Sequence, residues 1–475
     1  MKKNFFFLVF SVLFTLIFPG TFFGAESTLN NGIAVYKYET KSHVDKELSD
    51  FPDEAAVRVS LWKEIFESEL KEPALISHKV FTADNGKKWR FWAEDRNTHT
   101  AYIFSPEQDN VFSSSNQGTW IAFRDNATGK TDRIRIILRS KYSCYLDFTP
   151  KNNQTVLNLY ALNALYSGDV TISLDFTSVY KLEFSQIYRI TGPMLMWNYC
   201  SPDLTMYRNN RNLDKKIRQN LSRLTYNEDS CFDEKGNPVR ISDGEPSPVY
   251  NGVNCSGFLK WVVDGMVYPV IGQGLFVEPL KTKTVVFDEQ DFETNPIAVS
   301  STKNYSRIYE PERDPFFGLD WSRNLAAAAA SVFCGRNLTP EEAGTDVKKQ
   351  PFQLCYDSKG KAVKTTGYMK QMGYSVKILE SLLYALAIDE PDTVFLGSLN
   401  KEMTDTNGKN TLRQHYHTVV FVPYFTADGG FTVSVFESGT ETTIAAFIEK
   451  HSEEFVHLTR IGTPSLIYFK APVKP

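Results

Sequence analysis

From residue 33 to residue 195 the chain is written in twos, and that alternation is the tightest constraint on what it can fold into. Val170, Ile172, Leu174 and Phe176 alternate with polar neighbours, the pattern of a strand buried on one face. Lys88–Ala93 (KWRFWA) and Ala101–Phe104 cluster β-formers. Trp120–Phe123, a turn at Asn126-Ala127-Thr128-Gly129 and Arg133–Leu138 (RIRIIL) read as a hairpin, and Val179–Ile190 continues the strand theme. Only Glu54–Leu70 breaks the period, because Val57, Leu61, Ile65, Phe66 and Leu70 keep helical spacing. The stretch 33–195 is therefore expected to be a β-rich N-terminal domain with one early helix. It contains no metal motif, phosphate loop or catalytic constellation, and His43, His78 and His99 stand apart along the chain.

The N-terminus speaks to compartment. Lys2 and Lys3 precede Phe5–Phe18 (FFFLVFSVLFTLIF), which Pro19 and Gly20 break before the small residues Gly24 and Ala25. This charged, apolar, cleavable order predicts a secretory signal over 1–25, with the mature chain beginning near Glu26. The apolar run of 14 residues is shorter than the ~20 a spanning helix needs, although Phe23 keeps an uncleaved anchor open as an alternative. No later stretch reaches 18 apolar residues, so an exported chain, periplasmic or extracellular and without a membrane span after signal removal, is expected. With 42% hydrophobic and 23% charged residues the chain should fold around real cores. A net charge of -4 argues against a nucleic-acid coat. Six cysteines in 475 residues are too few for a disulfide scaffold.

A helical connector is expected over 196–247, where Leu213, Ile217, Leu221 and Leu224 share one face. Its other face carries Arg211, Lys215, Lys216, Arg218 and Arg223, a solvated face or a contact for an anionic polymer. Gly244–Pro248 reads as loop. The chemistry lies beyond it. In Tyr250–Gly265 (YNGVNCSGFLKWVVDG), Asn254 or Ser256 opens a helix that Phe258, Leu259, Val262 and Val263 bury. Cys255 then sits at a helix N-terminus, where the dipole and unpaired N–H groups favour a nucleophilic thiolate. Small Ser256 and Gly257 would admit a substrate backbone. The competing reading of Cys255 is a buried structural thiol.

A partner base is available downstream. Thr418–Phe425 is strongly β, Ala427–Gly430 is a turn, and Phe431–Glu437 is the return strand. His415 and His417 lie two apart and would face the same side of that strand. A histidine opposite a helix-capping cysteine makes a thiolate–imidazolium pair, with Glu437 as the group that orients the ring, unless it is a surface carboxylate. A His-x-His metal pair at His415 and His417 is the alternative, without an obvious third ligand. If Cys255 is a free nucleophile, the other five cysteines cannot all pair within the chain.

These residues carry a resemblance. Asn254-Cys255-Ser256-Gly257-Phe258-Leu259 resembles the D-C-S-G-F-[VI] signature of the NlpC-type family of papain-like cysteine peptidases. Pro391-Asp392-Thr393-Val394-Phe395-Leu396 is similar to that family's P-G-D-L-V-F-F strand, and His417-Thr418-Val419-Val420-Phe421-Val422 to its H-V-G-I-Y-[LI] strand. The likeness covers roughly 248–470 and implies a papain-like catalytic domain over 248–475, a Cys-bearing helix packed on an antiparallel sheet. The fold class expected overall is α+β. By the resemblance Cys255 is the nucleophile, His417 the general base and acid, Glu437 the third polar residue, and Tyr250 a tyrosine near the oxyanion. It implies a secreted cysteine peptidase or amidase acting on peptides of the cell wall (peptidoglycan), such as bonds to D-glutamate or a diamino acid. No cofactor, metal or nucleic acid is implied.

The departures are Asn254 for Asp, Thr418-Val419 for V-G, and the 162 residues that separate Cys255 from His417. A long insertion, about 270–388, is expected to hold a strand at Lys283–Asp288 and helices at Trp321–Phe333 and near Tyr368–Leu386. Thr443–Lys450 reads as a helix, and Phe455–Arg460 and Leu466–Lys470 as strands. The departures keep one alternative in view, a non-catalytic secreted binding protein on a degenerate papain-like fold, with Cys255 unreactive or in a disulfide.

Overall fold

A computed structural model of the protein describes residues 51–162, 164–285, 316–349, 367–404, 411–462 and 468–472, with short backbone stretches at 28–30, 33–35, 48, 354–356 and 362–364. The expected signal segment lies outside the described residues, as does the side chain of Cys355.

The chain is α+β and is organised by two large sheets. Among the described residues there are seven α-helices: α1 (Ala55–Ser60), α2 (Phe184–Thr191), α3 (Arg208–Leu221), α4 (Cys255–Ile271), α5 (Phe317–Cys334), α6 (Leu379–Asp389) and α7 (Ile444–Lys450). The first sheet is an antiparallel meander of β1 (Lys79–Thr82), β2 (Lys88–Arg96), β3 (His99–Gln108), β4 (Trp120–Asp125), β5 (Thr131–Arg139), β6 (Cys144–Lys151), β7 (Gln154–Ala161) and β8 (Ala164–Ile172). Two late strands, β9 (Leu354–Tyr356) and β10 (Ala362–Lys364), continue it past β8, through a pairing of Ala164 with Cys355. The second sheet has the spatial order β11-β16-β12-β13-β14-β15, built from β11 (Tyr374–Ser375), β12 (Thr393–Thr404), β13 (Thr411–Phe425), β14 (Phe431–Glu437), β15 (Thr440–Thr443) and β16 (Phe455–Gly462).

Several expectations shift. Glu54–Leu70 is not one helix: α1 ends at Ser60 and a wider turn at Lys63–Glu67 follows. Val179–Ile190 is helical, not extended. Its capping box wins locally, with Glu183 and Gln186 satisfying each other's backbone while Phe184 and Ile187 turn inward. The helix foreseen near Tyr368–Leu386 begins only at Leu379. Before it, Gly373 has φ +85°, and a Cβ there would meet Val456 O at 2.1 Å, so the chain crosses β16 too closely for a helix. Lys283–Val285 forms no strand, and the rest of that expected strand is outside the described residues. Tyr468–Lys470 is not a strand either. It runs over α4, with Lys470 N donating to Gly265 O at 2.9 Å.

Helix α4 is apolar on nearly every side, and such a helix must be buried all round. Phe258, Leu259, Trp261, Val262, Val263, Met266 and Val267 are buried, and Gly272 closes the helix in the left-handed region. The alanine run of α5 lets it lie close against α4. The two sheets share one continuous core, joined by the rings of Tyr166, Tyr199, Tyr384 and Phe425. The basic face of α3 is partly consumed inside the fold: Arg211 donates to Phe425 O, and Arg218 pairs with Asp214 and Glu441.

One ion pair sits inside the helix that carries Cys255. Lys260 Nζ lies 2.6 Å from Asp264 Oδ2, both side chains fully buried, and Asp264 also accepts Leu275 N at 2.8 Å. Lys260→Met leaves that carboxylate without its cation, and a loss of about 3–5 kcal/mol is expected in urea unfolding.

Candidate active site

The site is assembled where α4 begins. Asn254 caps the helix, its Oδ1 accepting Gly257 N at 2.7 Å. The entry is pinned to the short strand Ser230–Phe232, because Asn254 N donates to Ser230 O at 3.2 Å. A Cβ on Gly257 would lie 2.0 Å from that same carbonyl. Gly257 is therefore small to admit this strand, not to admit a substrate. Cys255 is the first helical residue, a free and half-buried thiol at the helix N-terminus. The first-turn N–H groups of a helix have no intrahelical acceptors and carry its positive dipole.

His417 comes from β13. The register pairs Leu399 with His417 but Asn400 with His415, so Tyr416 is an extra, bulged residue. A one-residue slip sends side chains to the other face. His415 and His417 thus do not share a side, contrary to the strict alternation expected. His415 turns toward Asn400, Phe316 and Gly318, and His417 toward Glu437. The bulge removes the His-x-His pair as a common ligand set.

Glu437 ends β14 as the sequence suggested, and it does so because a two-residue turn follows. Ser438 (φ 48°) and Gly439 (φ +85°) are both left-handed, which suits a tight hairpin that pairs Glu437 with Thr440. The carboxylate is 9% exposed, and its Oε2 lies 2.7 Å from His417 Nε2. With Nε2 so engaged, Nδ1 is the ring nitrogen left for the sulfur. The structure hydrogen-bonds His417 to Glu437 and sets Cys255 near enough to His417 that each shifts the other's charge.

The charges follow from that row. Burial pushes the Cys255 thiol up, but His417 reverses this and holds it at about 7. Burial likewise opposes charge on His417, yet the Cys255 thiolate and the hydrogen-bonded Glu437 carboxylate raise it to about 9. Against burial, His417, Lys450 and His451 keep Glu437 below the usual carboxylate range. Thiolate and imidazolium therefore coexist between about pH 7 and pH 9.

Tyr226 is a residue the sequence reading missed. The strand Thr225–Tyr226 runs parallel to Gly252–Val253, just before Cys255. Its phenol is raised by partial desolvation, then by the charges of Glu228 and Cys255, and the residue is 62% exposed. Tyr250, the tyrosine singled out from spacing, is 54% exposed on the preceding loop. Nothing periodic marks Tyr226, because its pairing joins segments 27 residues apart.

His99 also has company that chain spacing hid. The β3–β4 register sets it opposite Asp125, its Nε2 lies 2.9 Å from Asp132 Oδ2, and possible ligand atoms of all three lie within 4.8 Å of one another. Asp125 already accepts Thr128 N at 2.7 Å. Among the described residues no helix is long and apolar enough to cross a membrane.

Comparison with known proteins reaches only the first sheet. Residues 47–199 match DUF8515, a domain of unknown function. No curated protein and no solved structure matches the chain.

Alkylation with iodoacetamide, read by mass spectrometry at each cysteine, should be half-maximal for Cys255 near pH 7. Cys231, buried and pushed up to about 12, should label only on unfolding. Glu437→Gln removes the anion that holds the proton on His417, and should move the Cys255 midpoint up toward the free-thiol value of ~8.5.

Proposed function

We propose that the protein is an exported cysteine hydrolase, a peptidase or amidase of papain-like arrangement that acts on peptides of the cell wall. The observation that carries this reading is the Cys255–His417–Glu437 row at the start of a buried helix, with Nε2 of the histidine 2.7 Å from the carboxylate. A structural cysteine needs no charged partner. A thiol held at about 7 beside an imidazole raised to about 9 has the poise of a nucleophile paired with its acid. The three motifs similar to NlpC-type peptidases suggest the substrate class, and the geometry supports the reaction class.

The chemistry is acyl transfer. The Cys255 thiolate attacks the carbonyl carbon, and the π electrons move to oxygen. Amide N–H groups at the start of α4 stabilise that oxyanion. The imidazolium of His417 gives its Nδ1 proton to the leaving nitrogen as the C–N bond breaks. Water then attacks the thioester, His417 takes its proton, and the sulfur leaves as thiolate. Glu437 stays anionic throughout and holds the ring in the tautomer that serves both steps.

The test is hydrolysis of a peptide set that includes bonds to D-glutamate and to diamino acids, followed by mass spectrometry. Cleavage by the full chain is expected, with a thioester adduct on Cys255. Cys255→Ala should lower the rate by about a thousandfold or more. A chelator should leave it unchanged. A chain whose cleavage survives Cys255→Ala, or that cleaves none of the set, counts against this reading.

A further inference from the structure

Behind Glu437 lies a second imidazole that the chemistry above does not use. His451 follows α7 directly and is 4% exposed. Its Nδ1 lies 3.0 Å from Glu454 Oε2, which also accepts the Tyr416 hydroxyl at 2.6 Å. A carboxylate only accepts, so this network assigns the hydrogen to Nδ1. The other nitrogen, Nε2, has no hydrogen-bond partner among the described residues and faces Glu437 Oε2 at 4.0 Å. A bare Nε2 there would set a buried, unsatisfied acceptor against a carboxylate. The ring lies between two carboxylates, hydrogen-bonded to Glu454 on one side and 4.0 Å from Glu437 on the other, so an N–H on Nε2 would point at Glu437.

The ring is held on every side. Phe447 packs against it with centroids 4.7 Å apart, and the ring of His417 lies nearly parallel at 6.4 Å and 21°. Tyr416 is the bulged residue of β13, so the irregularity that parts His415 from His417 also delivers the Tyr416 hydroxyl to this second pair. The remaining charges nearby are less fixed. Lys450 Nζ is 3.6 Å from Glu437 Oε2, but its side chain is 64% exposed. Lys401 Nζ reaches Glu454 Oε1 at 3.9 Å and is 42% exposed. Behind Glu437, His451 is the buried cation-capable group with a locked ring.

We propose that His451 is a positioning residue of this site: locked by Glu454 and Tyr416, it holds the Glu437 carboxylate against His417. Without it the carboxylate is free to swing toward Lys450 and water. His417 then loses the anion that keeps it protonated, and a neutral thiol–imidazole pair replaces the thiolate–imidazolium pair. This inference rests on the reading of Cys255 as an activated nucleophile.

The experiment measures the pH dependence of Cys255 alkylation in the full chain, site by site, with circular dichroism to establish folding. His451→Phe keeps the stack on Phe447 and removes both N–H groups. Its midpoint is expected to rise by about half a pH unit or more, which is about threefold slower labelling at pH 6.5. His451→Gln, whose amide can still present an N–H to Glu437, should fall between that variant and the wild type. If His451→Phe does not fold, Glu454→Gln decides, since it unlocks Nδ1 from outside α7 and should move the midpoint the same way. A folded His451→Phe or Glu454→Gln with the wild-type midpoint would mean that the second pair is only structural, and would overturn the proposal. A wild-type Cys255 with an ordinary thiol profile would instead overturn the nucleophile reading, and this inference with it.

Discussion

The structure around the site depends on one close crossing, the carbonyl of Ser230 against the first turn of α4. Asn254 N donates to it, and only a residue without a Cβ fits at Gly257, 2.0 Å from where that Cβ would lie. Two consequences follow from this one contact. The helix start cannot slide along the strand, so the position of Cys255 is set to within the tolerance of a hydrogen bond. The capping side chain of Asn254 also accepts Gly257 N, so it orients the first turn. A family-like Asp at 254 would add a negative charge at the same place, close to a group whose charged form is also negative. The neutral Asn keeps the cap and avoids that repulsion.

Burial opposes every charge in the site, and each group is ionised only because its neighbour is. Desolvation is the largest influence on Cys255, His417 and Glu437 alike, and for each the partner charges and hydrogen bonds outweigh it. Such a row is cooperative. Burial disfavours a lone thiolate or a lone imidazolium. Fixing the last member of the row therefore matters as much as fixing the first. The turn at Ser438 and Gly439 fixes Glu437 from the backbone side, and the bulge at Tyr416 frees His417 to meet it.

The parts of this arrangement that lie in local sequence were legible. The helix at Cys255, the strand Phe431–Glu437 and the helix Ile444–Lys450 fall where periodicity and turn residues put them, and Cys255, His417 and Glu437 were singled out from position in those elements. What escaped was set by contacts between distant segments. A bulge leaves no mark in an alternating strand, so His415 and His417 read as neighbours on one face. Tyr226 is brought to the strand just before Cys255 by a parallel pairing of two residues with two, too short to be seen as a strand. Gly257 read as room for a substrate because nothing local announces that Ser230 crosses there. Val179–Ile190 failed for a different reason: its apolar residues suit either period, and the capping pair Glu183 and Gln186 decides the matter.

The β-rich half is tied to the site by packing rather than by chemistry. Helix α6 lies between the sheets: Tyr166 of β8 donates to Ser381 O at 2.9 Å, and Tyr384 packs on Phe425 of β13. The same helix touches α7, whose last turn supports His451 through Phe447, and Phe447 in turn meets Phe421 of β13. The route from the first sheet to Glu437 is thus a few well-packed side chains with no solvent gap, all within one core. A core at crystal-like density transmits displacement instead of absorbing it. On that physical ground the strands within residues 47–199, the stretch that matches DUF8515, share a core with the second sheet and do not stand apart from it.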